Sequence, residues 1–371
     1  MTPLAELAHL LRPAGGGLYL VSTGRAEQLA LQRHLYGVPS DTDVEQAFGR
    51  MLERIAEARV VVLGIPSDVG AGFRRGANLG PQAIRSALLG EDPGWPERAL
   101  AAGVVDIGDV FVVPQLLHDE MLSEAQRAAA RKALYPQLDA ASAARLPVSP
   151  LSIAERALEI VFSLNPHAAP VLIGGDHSTA WPAVAALARV QREPWGIVQI
   201  DAHTDLLAER LGIKYCFATW SYHANELLGR GGRLVQLGIR ASRHDRGHWE
   251  ESLGVRQLWA AECRARPEAV IDEVIAHLRA AGVRRVYFSN DIDGTDAVHA
   301  PATGTPEPDG LEPDFVVALL RRLGREVGLL GGDVMEVAPP LGPTPADSAR
   351  TVQLAARYLR ETVAALLGRP L

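Results

Sequence analysis

Cysteine is almost missing from this chain: Cys216 and Cys263 are the only two among 371 residues. Two thiols cannot staple a chain of this size, so stability has to come from a packed core, and reducing cytosol would keep both as thiols. No block of Lys and Arg stands out, and a formal net charge of −7 offers no general field for phosphates. Nucleic acid is therefore not an expected partner. No stretch approaches the ~20 apolar residues that cross a bilayer, and the first 17 residues lack the basic start and continuous apolar centre of a signal peptide. No membrane partner is expected, and the expected location is cytoplasmic. Internal repeats are missing too. The glycine-rich run Gly229-Arg230-Gly231-Gly232-Arg233 lacks the Lys-Ser/Thr ending of a phosphate loop and reads as a turn.

What the chain does have is an ordinary globular composition, 47% hydrophobic and 22% charged, with length enough for a sizeable core. From Arg59 onward, short β-branched runs alternate with longer Ala-, Leu- and Arg-rich stretches, the pattern of β-α units on a parallel sheet. The fold class is α/β. Strands are expected at 60–65, 170–173, 196–200, 233–239, 285–289 and 327–330, and helices at 153–164, 180–190, 267–281, 312–325 and 345–367. A polar, Ala-rich helix is expected at 120–138, ahead of the Pro-containing stretch 146–150. Residues 1–58 read as an N-terminal extension with a flexible break at Gly15, Gly16 and Gly17, packing on the domain or on a neighbouring subunit. Residues 59–371 read as one catalytic domain.

Three segments carry the chemistry, each following an expected strand. Ile173-Gly174-Gly175-Asp176-His177-Ser178 turns sharply and lets His177 project from the strand end. Asp201-Ala202-His203-Thr204-Asp205 alternates, so an extended backbone would send Asp201, His203 and Asp205 to one side. Ser289-Asn290-Asp291-Ile292-Asp293 repeats the spacing. Open α/β sheets gather their ligand sites at the carboxyl ends of strands. Buried together unpaired, these groups would repel and be costly to desolvate, and cations resolve that conflict. Four Asp and two His suit Mn²⁺ or Ni²⁺ better than a closed structural zinc site, and six side chains suit two ions better than one.

Through GGDHS, DAHTD and SNDIDGTD followed by ATGTPEPDGL, the sequence resembles the ureohydrolase family of arginase and agmatinase over roughly Arg59 to the C-terminus, most like its guanidine hydrolase branch. The resemblance implies a three-layer α/β/α fold with a central, mainly parallel sheet and two divalent ions, Ni²⁺ or Mn²⁺. By that likeness His177, Asp201, Asp205 and Asp291 would hold one ion, and His203, Asp201, Asp291 and Asp293 the other. Glu336, in Asp333-Val334-Met335-Glu336, would dock a guanidinium group, and Asp205 would orient the attacking water and pass a proton to the leaving nitrogen. The family's loop histidine is displaced here, with His223 as its replacement. Phe217, Trp220 and Tyr222 would line the pocket around a small cation. Leu206 and Leu207 stand where arginase has polar residues that grip an amino acid, which disfavours arginine. Free guanidine is the favoured substrate, with agmatine or a guanidino acid next, and Arg210 is available to pair with such an acid's carboxylate. A homo-oligomer, trimer or hexamer, is expected by analogy. A one-zinc deacetylase and a non-catalytic relative are the competing readings.

Overall fold

Nine strands form a single sheet in the computed structural model, which describes all 371 residues. They are β1 (Leu11–Arg12), β2 (Val60–Gly64), β3 (Val104–Val110), β4 (Ala169–Ile173), β5 (Trp195–Ile200), β6 (Leu234–Ile239), β7 (Arg256–Trp259), β8 (Arg285–Asn290) and β9 (Leu329–Val334). Their order across the sheet is β1-β3-β2-β4-β9-β8-β5-β6-β7. All neighbours are parallel except β1, which pairs antiparallel with β3. Strands β2, β5 and β6 are buried at every position, which is why they read as near-continuous apolar runs, broken only by one Gln each in β5 and β6, rather than alternating ones. Helices Gly80–Glu91, Pro313–Glu326 and Pro345–Leu367 pack together as one outer layer, and Pro150–Leu164, Trp181–Val190 and Trp220–Leu227 as the other. The result is the expected α/β class with a mainly parallel sheet. Pro150, Pro267, Pro313 and Pro345 each begin a helix, where the missing N–H costs nothing.

Four points of the sequence reading need correction. The last strand runs from Leu329 to Val334 and not from 327 to 330, because Gly331 and Gly332 belong to it rather than to a turn. A Cβ on Gly331 would stand 2.4 Å from the Pro170 carbonyl oxygen, so the strand needs glycine to lie close to β4. Strand β3 escaped the sequence reading since it carries Asp106 and Asp109. Both are answered by Arg85, whose Nε reaches Asp106 at 2.8 Å and whose Nη1 reaches the buried Asp109 at 2.5 Å. The third concerns Gly15 to Gly17, a buried anchor rather than a flexible break. Gly15 N–H donates to Asp109 Oδ2 at 2.8 Å, and a Cβ on Gly17 would lie 2.4 Å from the Val110 carbonyl oxygen. Helices Pro3–Leu10, Arg25–Tyr36 and Val44–Glu53 flank this anchor and pack on the β3 side of the domain. The helix expected at 120–138 is shorter, Glu124–Leu134, and begins at a Ser123/Gln126 capping box.

Candidate metal centre

The four central strands, β4, β9, β8 and β5, lie side by side, and each delivers part of one site from its carboxyl end. His177 follows β4, Glu336 follows β9, Asp291 and Asp293 follow β8, and Asp201, His203 and Asp205 follow β5. Around His177 Nδ1 stand Asp291 Oδ2 at 2.9 Å, Asp201 Oδ2 at 3.1 Å and Asp205 Oδ2 at 3.5 Å. Around His203 Nδ1 stand Asp293 Oδ2 at 3.1 Å and Asp201 Oδ1 at 3.6 Å. Asp201 thus offers one oxygen to each group. Although buried among carboxylates, His177 Nδ1 makes no hydrogen bond, so its lone pair has no protein partner. That orphaned nitrogen, with hard oxygen donors on three sides, fits a divalent cation.

Local backbone bonds fix the carboxylates. His203 N–H donates to Asp201 Oδ1 at 2.7 Å, Asp293 N–H to Asp291 Oδ1 at 2.9 Å, and Ala202 N–H to Asp293 Oδ1 at 3.1 Å. The Thr305 hydroxyl adds a bond to Asp293 Oδ2 at 3.1 Å. On the far side of the His177 ring, Nε2 lies 3.0 Å from Ser289 Oγ, and that hydroxyl lies 2.9 Å from Asp333 Oδ2. An ionised Asp333 can only accept, so Ser289 donates to it and accepts from His177 Nε2–H. The tautomer that leaves Nδ1 free is thereby selected.

The route by which these groups converge differs from the extended backbone expected. Strand β5 ends at Ile200, and Asp205 turns back in a left-handed conformation, φ 52°. Glu336 adopts φ 61°. Non-glycine residues in that region carry strain, and strain of this kind gathers at functional sites. Electrostatics agree with close packing of charge. Burial alone would lower the His203 pKa, but Asp293 and Asp201 outweigh it and raise it to about 12. His177 is raised well above its ordinary value by Asp201 and Asp291 against the same opposing burial. Burial, then neighbouring carboxylates, pushes Asp205 and Asp291 well up. Protons held by these groups are what an incoming cation displaces.

Glu336 sits beside the cluster, buried, with Oε1 accepting the His177 N–H at 3.0 Å. The four other expected residues fall elsewhere. Trp220 is wholly buried behind the site: its ring packs on His177 at 4.5 Å, and its indole N–H donates to Asp205 Oδ2 at 3.1 Å. With no exposed surface, the ring backs His177 and Asp205 instead of lining an open pocket. His223 Nε2 is taken by the carbonyl oxygens of Ala208 at 3.1 Å and Lys214 at 3.0 Å, so the ring ties the loop together and does not face the cluster as a proton shuttle. Tyr222 packs edge-on against the His223 ring with its phenol beside Arg230. Phe217 is half-buried in a cleft wall, under the Arg210 guanidinium at 5.0 Å.

Sequence reasoning missed Ser289 and Asp333 as supports, although both lie within the motifs quoted for the site. It also missed Arg240, whose guanidinium donates to the carbonyl oxygens of Gly238, Asp293, Gly294, Thr295, Glu307 and Pro308. Arg240 stitches the loop bearing Thr305 to the turn bearing Asp293, and Gly310 leaves room for it, since a Cβ there would meet Nη2 at 2.6 Å.

The sequence profile of the arginase family matches residues 58–365. The chain belongs to the arginase family. This arginase-family chain is 32% identical over 316 residues to the mitochondrial guanidino acid hydrolase of Homo sapiens, covering 82% of the chain and 77% of the human protein. It is 35% identical over 295 residues to N(1)-aminopropylagmatine ureohydrolase of Thermus thermophilus, covering 79% and 87%. The crystal structure of agmatine ureohydrolase of Thermoplasma volcanium superposes with a TM-score of 0.61 at 29% identity, over 84% of this chain and 90% of that one. As a member of the family, the chain is a hydrolase of guanidino C–N bonds. No helix is long and apolar enough to cross a membrane.

Proposed function

We propose that the chain uses two divalent cations, Ni²⁺ or Mn²⁺, to hydrolyse free guanidine to urea and ammonia. The observation that carries the two-ion reading is Asp201, which presents one oxygen to the His177 group and the other to the His203 group. His177, Asp201, Asp205 and Asp291 would hold one cation, and His203, Asp201, Asp291 and Asp293 the other. The cations would make a water acidic enough to attack at neutral pH and would offset the charge that develops on the substrate. Glu336 has one oxygen bound to the His177 N–H and a second free to dock a guanidinium. That second oxygen lies 3.8 Å from the place a Gly304 Cβ would fill, so glycine there leaves space above the carboxylate. Asp205, steadied by Trp220, would orient the water and hand a proton to the departing nitrogen, with no part for His223. Leu206 is buried and Leu207 half-exposed, so neither gives an amino-acid head group a polar contact, in keeping with a substrate that has none.

A second reading, a guanidino acid, rests on Arg210. Its guanidinium lies over Phe217 at the edge of a cleft of 430 Å³ also bordered by Gly70, Gly72 and Ile213, and two relatives are named guanidino acid hydrolase and guanidinobutyrase. A urea-release screen of guanidine, agmatine, arginine, guanidinobutyrate and guanidinopropionate, run with each metal, separates these. Guanidine turnover abolished by Asp291→Ala is the expected result. Turnover of guanidinobutyrate alone, with KM raised about tenfold by Arg210→Ala, would replace free guanidine by the acid and leave the reaction class standing.

A further inference from the structure

Three glutamines lie buried at matched positions on neighbouring strands: Gln199 on β5, Gln236 on β6 and Gln257 on β7. None is exposed, and Gln199 and Gln236 interrupt otherwise apolar runs. Buried amides of this kind are costly unless every donor and acceptor is met. Here they meet one another. Gln257 Nε2 donates to Gln236 Oε1 at 2.8 Å, Gln236 Nε2 to Gln199 Oε1 at 2.8 Å, and Gln199 Nε2 to Asp201 Oδ2 at 2.7 Å. At the outer end, the Trp259 indole N–H donates to Gln257 Oε1 at 3.1 Å.

The direction of this chain is forced from both ends. An indole N–H can only donate and an ionised carboxylate can only accept, so each amide between them has to present its oxygen toward Trp259 and its NH₂ toward Asp201. The Ser221 hydroxyl, free to donate or accept, fits the same orientation by donating to Gln199 Oε1 at 2.6 Å. Hydrogen bonds aligned in one direction polarise one another in a medium that water does not reach. Gln236 Nε2 also holds the Thr204 carbonyl oxygen at 2.6 Å, within the loop between His203 and Asp205.

We propose that Gln199, Gln236 and Gln257 are positioning residues, a one-way hydrogen-bond relay that fixes the orientation of Asp201 so that its two oxygens face the two ion positions. The inference rests on the two-ion reading. Only Oδ2 receives the relay, and Oδ1 is held by the His203 N–H, so the carboxylate is clamped across both oxygens and cannot rotate toward one ion. Outer supports of metal ligands typically change ion affinity 10- to 100-fold when removed.

Two variants test the relay by equilibrium binding of Mn²⁺ and of Ni²⁺, with melting temperature measured in parallel. Gln199→Glu keeps the shape and turns a donor into an acceptor facing Asp201. Gln257→Met keeps the volume and cuts the relay two amides away from the ions. The expected result is an ion affinity about tenfold or more weaker for Gln199→Glu and a smaller, measurable loss for Gln257→Met, with kcat falling and KM little changed. Wild-type affinity in either folded variant, even alongside a lower melting temperature, overturns the relay, because a merely structural role moves stability alone. Wild-type protein that binds no second ion instead sinks the two-ion reading, and the relay with it.

Discussion

Replacing Trp220 by Phe separates two roles that the sequence alone left confounded. The ring is wholly buried, lies 4.5 Å from the His177 ring and donates to Asp205 Oδ2 at 3.1 Å. Phe keeps an aromatic face and loses the N–H. A hydrogen bond to a charged group is worth about 1.5–3 kcal/mol, and the small void left by the lost part of the indole adds about 1 kcal/mol. The folded protein is therefore expected to lose roughly 2.5–4 kcal/mol, read by urea denaturation. With Asp205 no longer held, kcat for urea release should fall 10- to 100-fold while KM stays near the wild-type value. A pocket-wall role through cation–π contact gives the opposite pattern, a raised KM with kcat intact, and that result would refute the placement of Trp220 behind the ligands.

Two further outcomes follow from the same geometry. His203 is raised to about 12 and His177 is raised as well, so the ion-free folded state binds more protons than the unfolded chain above the ordinary His value of about 6.5. That stability is complete below about pH 6.5 and is lost as pH rises, whereas ion binding displaces the same protons and strengthens with pH. Melting of ion-free protein should thus fall from pH 6.5 to 9 while the gain on adding Mn²⁺ grows, and a gain that shrinks with pH would contradict this balance. Removing residues 1–58 should take away the buried Leu7, Leu10, Leu11 and Phe48 and so expose the apolar surface they cover, strip β1 from β3 to leave β3 as an open edge, and take the Gly15 N–H from Asp109. The shortened chain is expected to aggregate in light scattering, and a soluble, monodisperse product would show the extension to be dispensable.

Much of the fold was legible because its causes are local. Fully buried parallel strands write themselves as apolar runs, and Pro starts the helices that follow. Strand β3 was not legible because its two carboxylates are answered by Arg85, more than 20 residues earlier. Asp201 and the five residues that the structure brings around it were also readable, since each His or Asp lies within a few residues of a strand end and parallel strands bring those ends together. The sequence could not say which way the loop side chains face. A left-handed turn at Asp205 goes with that choice, which leaves Trp220 behind His177 and Asp205 and His223 on the carbonyls of its own loop. The Ser289–Asp333 support, the Arg240 stitch and the glutamine relay belong to the tertiary structure for the same reason. Their partners lie on different strands and loops, and a hydrogen bond between distant segments leaves no spacing to read. Sequence alone determined which atoms were available for the chemistry, and the packed sheet decided how they are held.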